Sequence, residues 1–163
     1  VDYFNATSKQ EEIKAAFVIA KQLHYEAAKR QTRSDESWQS TVDLVIKSCG
    51  TLALLKLDGY AIGFLLVFHD GKRYSVGGSL AINSEFKNLY PRSRLEWGII
   101  LHLKSCGFES YEVGQRYVVS HPLRQFSEKE IKMTEFKERL GGAMIPRCHF
   151  WLNTNYILST ADS

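Results

Sequence analysis

The spacing of apolar positions changes along the chain, and each change marks an element. Ile13, Ala16, Phe17, Ala20, Leu23 and Ala27 recur three or four residues apart and predict a first amphipathic helix ending near Arg30. Ser8-Lys-Gln-Glu11, just ahead of it, has the form of a capping box. Ser34 can cap a second helix with Trp38, Val42, Val45, Ile46 and Cys49 on one side and Gly50 as its stop. The pattern then turns to strands over 51–57, 60–69 and 72–80. They are separated by Asp58-Gly59 and Asp70-Gly71, both hairpin signals, which predicts an antiparallel meander. The third strand contains Gly77-Gly78. Paired glycines inside a strand mark a bulge or a close backbone approach to a ligand.

Beyond the meander, a polar stretch over 83–90 leads to Pro91, which suits the first turn of a helix. Residues 95–106 are apolar nearly all round, so this helix is expected to be deeply covered, with Trp97, like Trp38, as a core anchor. Gly107 ends it, a short strand follows over 111–113, and Gly114 closes that strand. A loop over 115–127 precedes a helix over 129–140, which stops at Gly141-Gly142. A last strand or hairpin carries Cys148, Phe150, Leu152 and 156–158. The order α-α-β-β-β-α-β-α-β predicts an α/β domain: a mixed central sheet, antiparallel meander first and a β-α-β crossover second, with helices on both faces. Residues 1–5 either supply a further first strand or leave it missing.

Composition narrows the class. The 163 residues suffice for one domain with a core, and 44% hydrophobic with 24% charged residues is ordinary for a globular protein. A net charge of +3 permits a phosphate-bearing ligand without demanding nucleic acid. No apolar run approaches the roughly 18–20 residues needed to cross a bilayer. Cys49, Cys106 and Cys148 are odd in number and widely spaced, and read as reduced, buried thiols of a cytoplasmic protein. The histidines are scattered, so no metal-ligand spacing arises and no metal is expected. The opening residues carry no signal-peptide pattern, and a chain that begins at Val1 reads as a processed product or a piece of something longer.

Several residues carry candidate chemistry. In the helix over 129–140, Met133, Phe136 and Leu140 share a face, and Lys137 sits at its edge while Lys132, Glu135, Glu138 and Arg139 can face water. Lys137 is either a snorkelling side chain or an ammonium that reaches into a cleft. Arg30 and Arg33, at the end of the first helix, can grip a phosphate, or answer the helix dipole. Glu112 is a candidate base, or the partner of Arg116. Glu96, beside Trp97, is a buried carboxylate or the partner of Arg92. Tyr74 and Ser79 flank the paired glycines and can hydrogen-bond a ligand, although Tyr74 also suits a strand as filler. His102 reads as a core residue and His121 as loop structure.

The element order resembles the GNAT acyltransferase fold. His24-Tyr-Glu-Ala-Ala-Lys-Arg30, Thr32-Arg33-Ser34 and Trp38 resemble the opening of the GNAT-like domain of FemAB-type proteins. Asp58-Gly-Tyr-Ala-Ile-Gly63 is similar to that family's second strand, and Tyr74 through Gly78-Ser79 to its third. Leu95-Glu-Trp97, Leu103-Lys-Ser-Cys-Gly107 and Tyr111-Glu-Val-Gly114 resemble its next helix and strand, and Phe136-Lys137 with Gly141-Gly142 its closing motif. The resemblance covers roughly residues 23–142.

It implies transfer of an acyl or aminoacyl group to an amine of a cell-envelope or polysaccharide precursor, from acyl-CoA or aminoacyl-tRNA. By the resemblance Lys137 holds the donor or stabilises the oxyanion. Arg30 and Arg33 take the phosphate on the acceptor side. Tyr74, Gly77, Gly78, Ser79 and Glu96 line the substrate cleft with Glu112. The acceptor would be a small or carrier-linked amine, with tRNA, a second GNAT-like domain or another copy of the chain as further partners. One departure is plain: residues 83–94 contain no glycine where acetyl-CoA-dependent GNAT proteins place a glycine-rich phosphate-binding turn. Lys87, Arg92 and Arg94 would there meet phosphate by side chain. The rival reading is a non-catalytic GNAT-like binding or scaffold module.

Overall fold

A computed structural model of the chain describes residues 1–114 and 125–143. The chain divides into two compact units, Val1–Gly114 and Gln115–Ser163.

The first unit is built on a five-stranded sheet in the order β1-β2-β3-β4-β5. Strand β1 spans Asp2–Phe4, β2 Gly50–Leu57, β3 Tyr60–His69, β4 Tyr74–Ile82 and β5 Ser110–Glu112. The pairings from β1 to β4 are antiparallel and β4–β5 is parallel. The meander and crossover are therefore as the pattern predicts, and the opening residues do supply a strand. Asp58 (φ 49°) and Gly59 (φ 85°) both occupy left-handed conformations in the first hairpin, the geometry that selects Asp-Gly. At the second hairpin the Asp70 carboxylate accepts from the amides of Lys72, Arg73 and Tyr74, so the strand starts two residues later than the pattern predicts.

Helices α1 (Gln10–Ala28) and α2 (Asp35–Ile46) cover one face. Ile13, Phe17, Ala20, Leu23, Trp38, Val42 and Val45 pack there against Leu52, Leu54, Phe64 and Leu66. Helix α3 (Pro91–Ser105) covers the other face, setting Leu95, Ile99 and Leu103 against Ala53, Leu55, Leu65 and Val67.

Several local expectations change. The N-cap of α1 is Lys9, with no side-chain bond, and the Ser8 hydroxyl instead accepts from the Asn5 amide, so Ser8–Glu11 is not a capping box. Ala27 is exposed. Ser34 does cap α2, accepting from the Ser37 amide. Its end is not set by Gly50: Ser48 turns the chain at φ 61°, and Gly50 opens β2, where an added Cβ would lie 3.1 Å from Val45 Cγ2. Helix α3 buries one face only; Trp97 is 49% and Leu101 61% exposed, so Trp97 anchors no core. Cys49 is half-buried and Cys106 exposed, both as free thiols. Cys148, His121, Arg116 and the expected strand over 148–158 lie outside the described residues.

In the second unit, α4 spans Glu128–Arg139. Ser127 and Glu130 form a full capping box at its start, and Gly141 (φ 77°) ends it. Among the described residues no helix is long and apolar enough to cross a membrane.

Candidate functional site

One feature of the first unit that can receive a ligand is the edge of β4. Strands β4 and β5 pair over three positions, Tyr74↔Ser110, Ser75↔Tyr111 and Val76↔Glu112. Beyond them β4 runs on to Ile82, with no strand on that side among the described residues. The register between β3 and β4 also shifts: Leu65 pairs Leu80, but Val67 pairs Gly77. Two residues on β4, Gly78 and Ser79, thus lie opposite the single Leu66, which is a β-bulge. Past the bulge, the Asn83 amide donates to Ile62 O of β3 at 2.9 Å. Because main-chain groups alternate in direction along a strand, the N–H groups of Leu80 and Ile82 point the other way, toward the open edge.

The bulge explains Gly78, and the neighbouring strand β5 explains Gly77. A Cβ on Gly78 would lie 2.8 Å from Phe68 Cε2 and 3.0 Å from Leu66 O. One on Gly77 would lie 3.1 Å from the Tyr111 hydroxyl and 3.5 Å from Glu112 O. The close approach is thus made by the protein's own strands.

Arg33 is placed differently from its expected role. Helix α1 ends at Ala28, so Arg30 and Arg33 lie in the connection to α2 rather than on the helix. Arg30 is exposed. The Arg33 guanidinium lies 4.4 Å from the Trp38 ring centroid. It donates to Thr41 Oγ1 (2.7 Å), Ser37 Oγ (3.1 Å) and Ser79 Oγ (3.3 Å). Arg33 is thus engaged within the chain, by Ser37, Thr41, Ser79 and the Trp38 ring. His24 stands against the same tryptophan, its Nε2 2.6 Å from Thr32 Oγ1. Burial, then the Arg33 charge, holds its imidazole below the usual histidine range.

Two tyrosine–carboxylate pairs flank the point where β4 and β5 part. Tyr111 Oη donates to Glu96 Oε2 at 2.8 Å, and Glu96 is 5% exposed. Burial first, and the Glu96 carboxylate second, push the Tyr111 phenol far up, so it keeps its proton. Tyr74 Oη donates to the Glu112 carboxylate on the sheet's other face. Alternation along β5 separates Tyr111 from Glu112, and the sequence does not single out Tyr111 because only the packing of β5 beside β4 brings its hydroxyl to Glu96 and Gly77. Ser37 and Thr41 were missed likewise, since nothing local marks them as arginine partners.

Residues 83–90 form a 3₁₀ helix over Ser84–Leu89 and a left-handed Tyr90 (φ 52°) that leads into α3 without a side-chain cap. Lys87 and Arg94 are exposed here and Arg92 is half-buried; Arg94 Nε donates to Leu89 O. The positive end of the α3 dipole and these cations suit a phosphate without any glycine.

On α4, Lys137, Met133, Phe136 and Leu140 are half-buried, while Lys132, Glu135, Glu138 and Arg139 are exposed, as the spacing predicts. Two further histidines are structural. His102 stacks on Tyr3 at 4.1 Å, and burial with the nearby His69 lowers its pKa; burial likewise pushes the Tyr3 phenol up. His69 rests on Phe108 and reaches Thr51 Oγ1 at 3.2 Å, also with a burial-lowered pKa. A cavity of about 420 Å³ lies away from the β4 edge, lined by Ala6, Ser8, Lys9, Gln10, Ile13 and Ile46.

No protein-family model and no curated protein matches this chain. Solved structures do. An aminoglycoside acetyltransferase from an uncultured soil metagenomic sample, in complex with sisomicin, aligns at TM-score 0.64 and 13% identity over 93% of each chain. The aminoglycoside N-acetyltransferase AAC(6')-Iy in complex with CoA aligns at 0.63 and 12%, over 93% of this chain and 91% of that one. A ribosomal-protein-alanine N-acetyltransferase from Brucella melitensis aligns at 0.58 and 13%, over 94% and 99%. The mixed sheet, its helices and these likenesses together give the chain the GNAT acetyltransferase fold.

Proposed function

We propose that this protein is an N-acyltransferase that moves an acyl group from an acyl-CoA thioester to the amine of a small molecule. The observation that carries the reading is the open β4 edge. It offers main-chain donors beside a bulge, and the 3₁₀ helix over Ser84–Leu89 joins it to a helix start that carries Arg92 and Arg94. In the reaction the amine nitrogen attacks the thioester carbonyl carbon, the C–S bond breaks, and an amide and a free thiol result. The Leu80 amide donates to the carbonyl oxygen and stabilises the charge that develops there. Glu112 accepts the proton the amine loses, with Tyr74 orienting its carboxylate, and the leaving thiolate takes up that proton's equivalent from solvent as Glu112 releases it. Lys87, Arg94 and the α3 N-terminus hold the donor's phosphates. Lys137 assists at the donor, a role taken from the motif resemblance.

Acyl-CoA is favoured over aminoacyl-tRNA because fold neighbours were solved with CoA or a CoA bisubstrate analogue, and small amines are favoured by the sisomicin complex. The finer reading adds a FemAB-type relationship, a carrier-linked cell-envelope acceptor, a cytoplasmic location, and a second GNAT-like domain or a second copy. It rests on motif order alone. Calorimetric titration with CoA, together with a thiol-release assay using acetyl-CoA and a panel of amines, tests the proposal. Heat of binding and amine-dependent thiol release are expected; neither, with any acyl-CoA, removes it.

The second reading is a binding module without catalysis. The glycine-free turn over 83–94 favours it. Amine binding with no thiol release would establish that reading instead.

A further inference from the structure

We propose that Arg33 is a positioning residue for acyl transfer: from the α1–α2 connection its guanidinium holds the Ser79 hydroxyl and thereby fixes the β4 bulge that aims the Leu80 amide. This inference rests on the reading of the β4 edge as the acyl-binding site. Arg33 spans 46 residues of sequence to reach Ser79 at 3.3 Å. Its other donors are taken up by Ser37 Oγ and Thr41 Oγ1, and its flat face lies over Trp38, itself 7% exposed. The guanidinium is thus locked on α2 through Nε and Nη2, and Nη1 is turned to the bulge. That arrangement suits arginine rather than lysine, whose single ammonium cannot serve a ring face and three hydroxyls in one plane.

The bulge needs such a holder. Its two residues oppose a single residue of β3, one backbone unit in excess, and its glycine has no side chain to pack. On its outer side no strand pairs with β4 past Val76 among the described residues. A hydrogen bond from the opposite layer to the residue directly before Leu80 restricts where that amide points. Arg33 does not touch the acyl group in this arrangement; it acts through Ser79.

Ser79→Ala deletes the bulge end of the link and leaves every other Arg33 contact in place, so it separates positioning from folding. Ser79→Thr keeps the hydroxyl. Arg33→Lys is the second variant. Two readouts are used on the full chain: steady-state acetyl transfer, and amide hydrogen exchange of Gly78, Ser79 and Leu80 without any ligand. Expected for Ser79→Ala is a fall in kcat of about tenfold with the donor KM within about twofold, the pattern of an interaction that matters in the transition state. Faster exchange at the three amides and recovery of both properties in Ser79→Thr are also expected. Arg33→Lys should follow Ser79→Ala. Unchanged exchange and unchanged kcat in Ser79→Ala overturn the proposal, as does a loss that Ser79→Thr fails to restore. If the parent protein shows no transfer with any acyl-CoA, the function above fails and takes the catalytic half with it. The exchange data then decide on their own whether Arg33 holds the bulge.

Discussion

Gly78→Ala tests the bulge most directly. The added Cβ would sit 2.8 Å from Phe68 Cε2, closer than a carbon tolerates, and 3.0 Å from Leu66 O, a tight contact that needs a few tenths of an ångström of adjustment. The phenylalanine edge can swing, since Phe68 is half-buried, but the Leu66 carbonyl belongs to the central strand β3 and cannot. Overpacking of this kind costs about 1–3 kcal/mol, while alanine returns about 0.4–1 kcal/mol by narrowing the unfolded ensemble. The expected net loss is about 1–2 kcal/mol, a shift of order 0.5–1 M in the urea midpoint for an m-value of about 2 kcal/mol/M. Urea unfolding followed by fluorescence reads it, with Trp38 as the buried reporter. A Phe68→Leu background divides the strain: the part due to the ring disappears, and the part due to the carbonyl stays. A Gly78→Ala protein as stable as the parent would show that β4 is not bulged as described.

Tyr111→Phe leaves the buried Glu96 carboxylate short of one donor and should cost about 1–3 kcal/mol in the same unfolding measurement; an unchanged midpoint rejects that bond as a stabilising one. In a spectrophotometric titration Tyr111 should be the tyrosine that resists ionisation until the protein unfolds. His24, His69 and His102 all have folded pKa values below the ordinary 6.5, with burial as the main cause. The unfolded chain therefore binds protons first as pH falls: their contribution is present above about pH 6.5, declines below it, and levels off beneath the folded values. Replacing His69 by Gln should flatten the stability profile between pH 7 and the acid limb; an unaltered slope counts against the assignment. Lys137→Met keeps the aliphatic stem and should lower kcat/KM on the order of tenfold or more if its ammonium assists at the donor, whereas a parent-like value takes it out of the mechanism.

Much of the fold was legible in the sequence because it is encoded locally. Strand-length apolar runs joined by Asp-Gly turns dictate a meander, since run length and left-handed turn geometry are properties of a few neighbouring residues. The same holds for the Ser34 cap, the Gly107 and Gly141 stops, and the half-buried and exposed positions around Lys137. Local signals also misled where two readings share one pattern. Ser8–Glu11 and Ser127–Glu130 have the same S-x-x-E form, yet only the second closes a capping box, because the first helix starts one residue later, with Lys9 as its N-cap. The apolar belt of α3 predicts burial all round, but a helix on one face of a sheet buries one stripe, and Trp97 faces away.

The candidate site belongs to the other category. Paired glycines in a strand announce a bulge, but not that Phe68 and Leu66 O are what require them. Two arginines near a helix end suggest a phosphate grip, yet Arg33 spends its donors on Ser37, Thr41 and Ser79. Glu96 meets Tyr111, and Glu112 meets Tyr74, only when a parallel strand is set beside the meander. The sequence by itself determined the elements, their order and the class of fold, because those follow from short-range periodicity and turn chemistry. Tertiary structure alone decided which polar groups pair across layers and which strand edge stays open, because such contacts join residues tens of positions apart and leave no periodic trace in the chain.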